Sequence, residues 1–321
     1  MNSDSMEHVE LATMGETMAL LSHHEMTPLR HARTLQLGVG GAESNVAIGA
    51  ARLGITTSWT GRVGDDELGR MVLRELQAEG VRTFASMDVT KPTAIMLKAS
   101  RTSHSTHVTY YRTDSAGSAL GPGDVNPELL RRATVFHTSA ITPALSPTAS
   151  DAVRKCVEIC GDSETLVSID LNFRRALWSE QEAREEFRWL AARADVVFAT
   201  EAEARIACAG PDAGSLAHQL ASMGGGIAVV KQGQRGAIAS IHGQEHNVDP
   251  VPVLAVDPVG AGDAFAAGFL AGMIRGHEPT ESLRWAALMG AWAAATTGDW
   301  QGLPSLAELD TLPRTPDDVV R

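Results

Sequence analysis

Asp257-Pro258-Val259-Gly260-Ala261-Gly262-Asp263-Ala264-Phe265 is a glycine-rich turn that runs straight into an apolar helix. Gly260 and Gly262 carry no Cβ, so a ligand can approach the main chain there, and the unpaired N–H groups of the new helix can cradle an anion. An oxyanion or a γ-phosphate suits that cradle. A carboxylate at the same helix start is an odd neighbour for a phosphate unless it has a task of its own. Accepting the proton of an attacking hydroxyl is such a task, which makes Asp263 a candidate general base. The same placement also suits a plain helix cap for the segment 264–275.

A second stretch reads Gly40-Gly41-Ala42-Glu43-Ser44-Asn45-Val46-Ala47 and leads into a small-residue helix that ends near Leu53 and Gly54. A Gly-Gly turn followed by a polar residue and a close-packing Ala-rich helix lets a small polyhydroxy ligand rest against main chain. Together the two stretches resemble the paired signatures of the ribokinase-type (PfkB) carbohydrate kinases, and the resemblance covers nearly the whole chain. It implies an α/β, ribokinase-like fold: a mostly parallel central sheet with helices on both faces, plus a small β lid. Residues 1–321 would form one domain, with a discontinuous lid drawn from about 15–39 and 93–113. It also implies ATP and Mg2+ as cofactors.

Composition fits that class without choosing within it. The chain has 321 residues, 44% hydrophobic and 21% charged, enough for a sizeable core. A formal net charge of −12 disfavours nucleic acid or an anionic membrane as partner. An anionic substrate must therefore be captured by local basic groups, whose field reaches roughly 10 Å at moderate salt. The three cysteines, Cys156, Cys160 and Cys208, form neither a disulfide framework nor a metal motif. With no export signal and no apolar run long enough to span a bilayer, a cytoplasmic location is expected.

Short apolar segments alternate with amphipathic ones, as in a parallel sheet covered on both faces. Strands are expected near 57–63, 134–138, 166–170, 196–199 and 227–230. Helices are expected at 66–79, 147–160, 180–193, 201–207, 215–222, 264–275 and 281–296. Two stretches, 35–39 and 93–112, carry β-type patterning with no crossover helix and read as an antiparallel flap. Gly268 and Gly272 lie one helical turn apart, which suits close packing of their helix on the sheet. Cys156 and Cys160 share that spacing and read as core. His104 and His107 lack a metal-binding partner motif, and Gly38-x-Gly40-Gly41 lacks the third glycine of a dinucleotide fingerprint. The tail after Pro304 reads as peripheral.

Ligands of an open parallel sheet bind at the carboxyl ends of its strands. Those ends are Asp170-Leu171-Asn172-Phe173-Arg174, then Thr200-Glu201-Ala202-Glu203, then Lys231-Gln232-Gly233. Each taken singly also suits helix caps and solvated loops; together they should face one crevice with Asp263. On the nucleotide side the candidates are Asp170, Asn172, Thr200, Lys231, Gly233 and Gly236, the two glycines suiting a turn under the base. Glu203 with Thr200 resembles the family's Asn-x-x-Glu element, which implies a hold on Mg2+ through water. Asp257 and the amides of Gly260, Ala261 and Gly262 would complete the anion hole.

Tyr110-Tyr111-Arg112 ends the presumed lid, and Arg174 comes from the sheet. Two guanidinium groups from opposite walls exceed what a neutral sugar needs and point to an acid, although structural ion pairs would use the same residues. Here the likeness narrows to the 2-keto-3-deoxygluconate kinases. It rests on Tyr110-Tyr111-Arg112, Ile141-Thr142-Pro143-Ala144-Leu145-Ser146-Pro147, Asp170-x-Asn172-x-Arg174 with Leu177-Trp178-Ser179, and Asp257-Pro258-Val259. It implies transfer of the ATP γ-phosphate to the 6-hydroxyl of that acid. Gly40, Gly41, Asn45, Tyr110, Arg112, Ile141, Arg174 and Asp299 would bind it, Asp263 would act as base, and the lid would be a possible homodimer surface. Met96 stands where the family often has tyrosine, and Ala287 where relatives often carry Asn. A fructokinase-like enzyme and a non-catalytic sugar- or nucleotide-binding regulator are the competing readings.

Overall fold

A computed structural model describes residues 8–23, 25, 27–102 and 105–309. His104 and the tail beyond 309 lie outside the described residues.

Strands β1 (Leu11–Met14), β2 (Met18–His23), β3 (Gln36–Gly40), β4 (Thr57–Gly64), β5 (Arg82–Asp88), β6 (Ile95–Thr102), β7 (Ser105–Tyr111), β8 (Val135–Ser139), β9 (Leu166–Asp170), β10 (Val196–Thr200), β11 (Ile227–Lys231), β12 (Ala237–Ile241) and β13 (Gln244–Val248) form two sheets. The larger is nine-stranded, in the order β13-β12-β11-β10-β9-β8-β1-β4-β5. From β11 through β5 every neighbouring pair runs parallel. Strands such as Val196–Thr200 and Ile227–Lys231 are near-continuous apolar runs because both of their faces are covered.

The helices are α1 (Ala42–Arg52), α2 (Glu67–Ala78), α3 (Pro127–Arg132), α4 (Ile141–Ala144), α5 (Pro147–Gly161), α6 (Glu180–Ala191), α7 (Glu201–Ala207), α8 (Ala213–Met223), α9 (Ala261–Ile274), α10 (Pro279–Ala294) and α11 (Leu306–Leu309). One core gathers Phe136, Ile169 and Val197 with the buried sides of α5, α6 and α8. The other gathers Leu11, Trp59 and Phe198 with α1, α2, α9 and α10. Cys156 and Cys160 lie buried and free in the first core.

Four differences from the sequence expectation stand out. Strand β1 lies inside the sheet between β8 and β4, yet its four residues are too few to show a period. Strands β12 and β13 extend the sheet antiparallel, joined through His242 and Gly243 at φ 48° and 84°, the left-handed pair of a tight hairpin turn. Strand β5 was likewise not anticipated. In the small sheet, ordered β3-β2-β6-β7, the outer pairs are antiparallel as the flap reading expects, but the central pair β2–β6 runs parallel. The chain places two whole helices between those strands, so they belong to separate hairpin-like arms.

Helix α9 is buried on nearly all sides. A Cβ at Gly268 would stand 2.7 Å from the Trp285 carbonyl oxygen, and one at Gly272 would stand 2.8 Å from Ser282 Cα. These glycines therefore let α9 and α10 touch, rather than seating α9 on the sheet. Gly268→Ala is expected to lower stability by about 1–3 kcal/mol, the usual cost of overpacking, read as a lower midpoint in urea unfolding. An unchanged midpoint would show that α10 can yield.

Candidate active site

Parallel pairing brings the strand ends to one edge: Phe198 stands beside Asp170, and Thr200 beside Lys231. Lys231 Nζ lies 2.6 Å from Asp170 Oδ2, while Asp170 Oδ1 is buried with no partner. Burial works to lower the Lys231 pKa, but Asp170, Glu203 and Asp263 more than offset it and hold the ammonium above its ordinary value. A Cβ at Gly262 would come within 3.4 Å of that nitrogen, so the cation sits against the glycine turn. Beyond β9, Asn172 adopts φ 30°, a strained value for a residue with a side chain.

Gly260 has φ 82°, and a Cβ there would collide with the Asp299 carbonyl oxygen at 2.1 Å, so both conformation and space require glycine. Helix α9 starts at the next residue and receives no side-chain cap. Ala261 N donates to Pro258 O at 3.3 Å, no side chain caps the other first-turn N–H groups, and the cap reading of Asp263 fails. Asp263 Oδ2 instead accepts a hydrogen bond from Asn45 Nδ2 at 2.8 Å. Burial raises the Asp263 pKa from 3.8 to about 7; Asp170 adds to the rise, while Asn45, Lys231 and Arg174 oppose it. A carboxylate poised near neutrality is matched to proton abstraction.

Asn45 comes from the first turn of α1, beside the Gly40-Gly41 turn. Its Oδ1 is buried and unpartnered, an acceptor left over for a hydroxyl. A Cβ on Gly40 would meet Asp299 Oδ2 at 2.6 Å and Met96 Cε at 2.8 Å. Beneath the turn, Glu43 accepts from Ser139 N, Ser139 Oγ and Thr142 Oγ1 at 2.6–2.9 Å. Burial raises its pKa against those bonds. Glu43 thus ties the β8 end and α4 to the Gly-Gly turn and seats Ile141 at the cavity wall.

One continuous cavity of about 910 Å³ joins these parts. Its walls include Gly41, Asn45, Tyr110, Arg112, Ile141, Arg174 and Asp299. They also include Asp170, Asn172, Thr200, Glu203, Lys231, Gly233, Gly236, Gly260, Ala261, Gly262 and Asp263. Gly40 is not among them; it stands behind Gly41, where it allows Asp299 and Met96 to approach. The lid contributes Met18, Met96, Val108 and Tyr110 as an apolar cover, and Ala287 of α10 lies at the wall with Gly290 and Ala291.

Two assignments need correction. Asp257 does not reach the cavity wall: it is buried behind the turn, where its Oδ1 accepts from Val259 N at 3.2 Å and its Oδ2 pairs with Lys98. Arg112 is not a free guanidinium, since Nε and Nη2 both bind Glu16 Oε2, at 2.8 and 2.5 Å, with the cation 5.0 Å above the Tyr110 ring. Arg174 has no carboxylate partner among the described residues and donates from Nη1 to Phe173 O at 3.2 Å. Glu203 does double service: Oε1 accepts from Phe173 N and Oε2 from Thr200 N, clamping two strand ends together. Sequence reading missed Glu16, Glu43 and Lys98 as contributors. Lys98 was detectable as a lone lysine on the same face of β6 as Met96.

An ionisable carboxylate, uncapped amides and a lysine against the same turn are needed together in one chemistry, the movement of a phosphoryl group onto a hydroxyl. Fold and site define a phosphotransferase with an alcohol acceptor. Residues 10–306 match the pfkB family carbohydrate kinases, and the chain belongs to that family. It is 34% identical over 315 residues to a 2-dehydro-3-deoxygalactonokinase of Haloferax volcanii, covering 97% of this chain and 96% of that one. A 2-dehydro-3-deoxygluconokinase of Bacillus subtilis is 32% identical, with 94% of each covered. The crystal structure of a PfkB protein from Polaromonas sp. JS666 superposes with a TM-score of 0.86 at 33% identity, covering 95% of this chain and 100% of that one. Among the described residues no helix is long and apolar enough to cross a membrane.

Proposed function

We propose that this enzyme transfers the γ-phosphate of ATP to the 6-hydroxyl of a 2-keto-3-deoxy sugar acid, with 2-keto-3-deoxygluconate as the leading substrate. The observation that carries the reading is Asp263, held by Asn45 beside the uncapped start of α9 in a cavity that also presents Arg174. The curated relatives support an acid of this type.

In this reading the acid lies under the lid between Tyr110, Ile141 and Asp299. Its carboxylate and keto end faces Arg174 and the remaining Nη1 of Arg112, and Asn45 Oδ1 accepts from one of its hydroxyls. Asp263 takes the proton of the terminal hydroxyl as that oxygen attacks. The amides of Gly260, Ala261 and Gly262 bind the migrating phosphoryl group, and Lys231 offsets the charge on the transferring phosphates. Gly233 and Gly236 would lie under the nucleoside. The apolar lid wall excludes water and limits idle ATP hydrolysis.

Among the described residues no group of three or more His, Cys, Asp or Glu is arranged to hold a metal directly. The unpartnered Asp170 Oδ1 and the Glu203 carboxylate fit a magnesium ion held mainly by phosphate oxygens and water. Bound there, it would neutralise charge on the β- and γ-phosphates.

An ATP-coupled assay over 2-keto-3-deoxygluconate, its C4 epimer 2-keto-3-deoxygalactonate and fructose tests the reading. The epimer enters because of the Haloferax relative. At least one acid is expected to exceed fructose about 100-fold in kcat/KM, the worth of one charge-assisted contact. Fructose turned over as well as both acids would replace this reading with a neutral-sugar kinase, and no turnover of any sugar would favour a binding protein.

A further inference from the structure

Lys98 belongs to the lid strand β6 and is 3% exposed. Its Nζ stands 2.5 Å from Asp257 Oδ2 and 2.8 Å from Asp299 Oδ1, and those residues are 4% and 3% exposed. One buried ammonium thus serves two buried carboxylates, an arrangement costly to assemble and worse with a member missing. Its location gives it meaning. Asp257 opens the glycine turn and accepts from the Val259 amide inside it, while the Asp299 backbone presses against Gly260. The Asp257 carboxylate therefore stands behind the amides proposed to grip an anion, and the Asp299 carboxylate, joined to it through Lys98, lies at the cavity wall beside Gly40. Unpaired, they would repel that anion at short range through a medium that screens poorly.

We infer that Lys98 is a positioning residue for phosphoryl transfer: its ammonium is the counter-charge that lets the Asp257 side chain and the Asp299 backbone brace the glycine turn without the two carboxylates repelling the anion bound there. The inference rests on the proposed anion-binding role of Gly260, Ala261 and Gly262. Burial works to lower the Lys98 pKa, but Asp299 and Asp257 more than offset it, so the side chain stays charged. Burial also raises the Asp299 pKa; Lys98 and Asn45 oppose that rise, while Asp257 adds to it. The residues flanking Lys98 in the lid sheet, Ser22 and Val108, carry no charge. Lys98 thereby links the lid strand to the residues that support the glycine turn.

The test compares Lys98→Met, Lys98→Gln and the double variant Lys98→Met/Asp257→Asn. For each, kcat and both KM values are measured from pH 6 to 8.5, with circular dichroism and thermal melting to establish folding. At pH 8 both single variants are expected to lose about 100-fold in kcat, the scale of a lost anion-hole donor. KM for ATP and sugar should change far less. The double variant restores the net charge of the cluster and should run at least tenfold faster than Lys98→Met. The ratio of the single variants to wild type should rise as pH falls, because one of the two facing carboxylates then takes up a proton. A Gln variant near wild type would reduce Lys98 to a hydrogen-bond donor. A double variant no faster than the single, or a pH-independent ratio, would also overturn the inference. If Lys98→Met does not fold, the comparison of Lys98→Gln with the double variant carries the same decision. Full turnover in Asp263→Asn would instead sink the reading of the turn itself, whatever Lys98 does.

Discussion

Asp263→Asn is expected to lower kcat by about 10³-fold while leaving the binding of ATP and sugar nearly unchanged, because the amide keeps the shape of the carboxylate and cannot accept a proton. Asn45 Nδ2 retains an oxygen acceptor in the variant, so the contact that orients the side chain survives. The wild-type pH profile follows from the same residue. With its pKa raised to about 7, Asp263 is ionised above that pH and protonated below it. kcat/KM should therefore climb with pH through about 7 and fall tenfold per unit on the acid side, and the small residual activity of the variant should lack that limb. Stability carries the opposite sign. A carboxyl group with a raised folded-state pKa contributes stability at low pH that is lost as pH rises through 7, since burying the ionised form is what costs. Asp263→Asn should accordingly melt above wild type at pH 8, with the difference vanishing near pH 4. Wild-type kcat in the variant would remove Asp263 from the reaction, and an unshifted acid limb would assign the profile to another group.

Arg174→Met should cost about 100-fold in kcat/KM for the acid substrate and leave fructose turnover where it was. The physical reason is the difference between the two arginines. Arg112 is spent on Glu16 through two of its nitrogens, so its charge is largely neutralised before a ligand arrives. Arg174 has no carboxylate partner among the described residues, and it is close enough to Asp263 to lower that residue's pKa. On the proposed reading it is the cation available to a substrate carboxylate. Arg112→Met, by contrast, should damage the fold as well, because it leaves the buried Glu16 carboxylate with Ser115 Oγ but without its cationic partner. Equal losses on acid and neutral sugars in Arg174→Met would show that Arg174 works on the phosphates instead.

The central strands and their terminal residues were legible because strands covered on both faces are written as unbroken apolar runs, and a polar residue ending such a run is conspicuous. Asp170, Thr200 and Lys231 stood out in that way. β1 was not legible: its four residues, Leu-Ala-Thr-Met, are shorter than either period needs. Nor was the parallel β2–β6 pair, since nothing local in a strand records the direction of a neighbour two helices away. The true place of Asp257 depended on Lys98, 159 positions earlier in the chain.

By itself, the amino-acid sequence determined the layered architecture, the glycine turn, the carboxylate of Asp263 beside it and the strand ends that meet it, because each is encoded by periodicity or by residues adjacent in the chain. Only the tertiary structure decided which charges are free and which are spent. Glu16 pairs with Arg112, Lys98 is shared by Asp257 and Asp299, and Arg174 has no carboxylate partner among the described residues. Charge pairing is settled by distances of a few ångströms in a poorly screening interior, between residues that chain order keeps far apart.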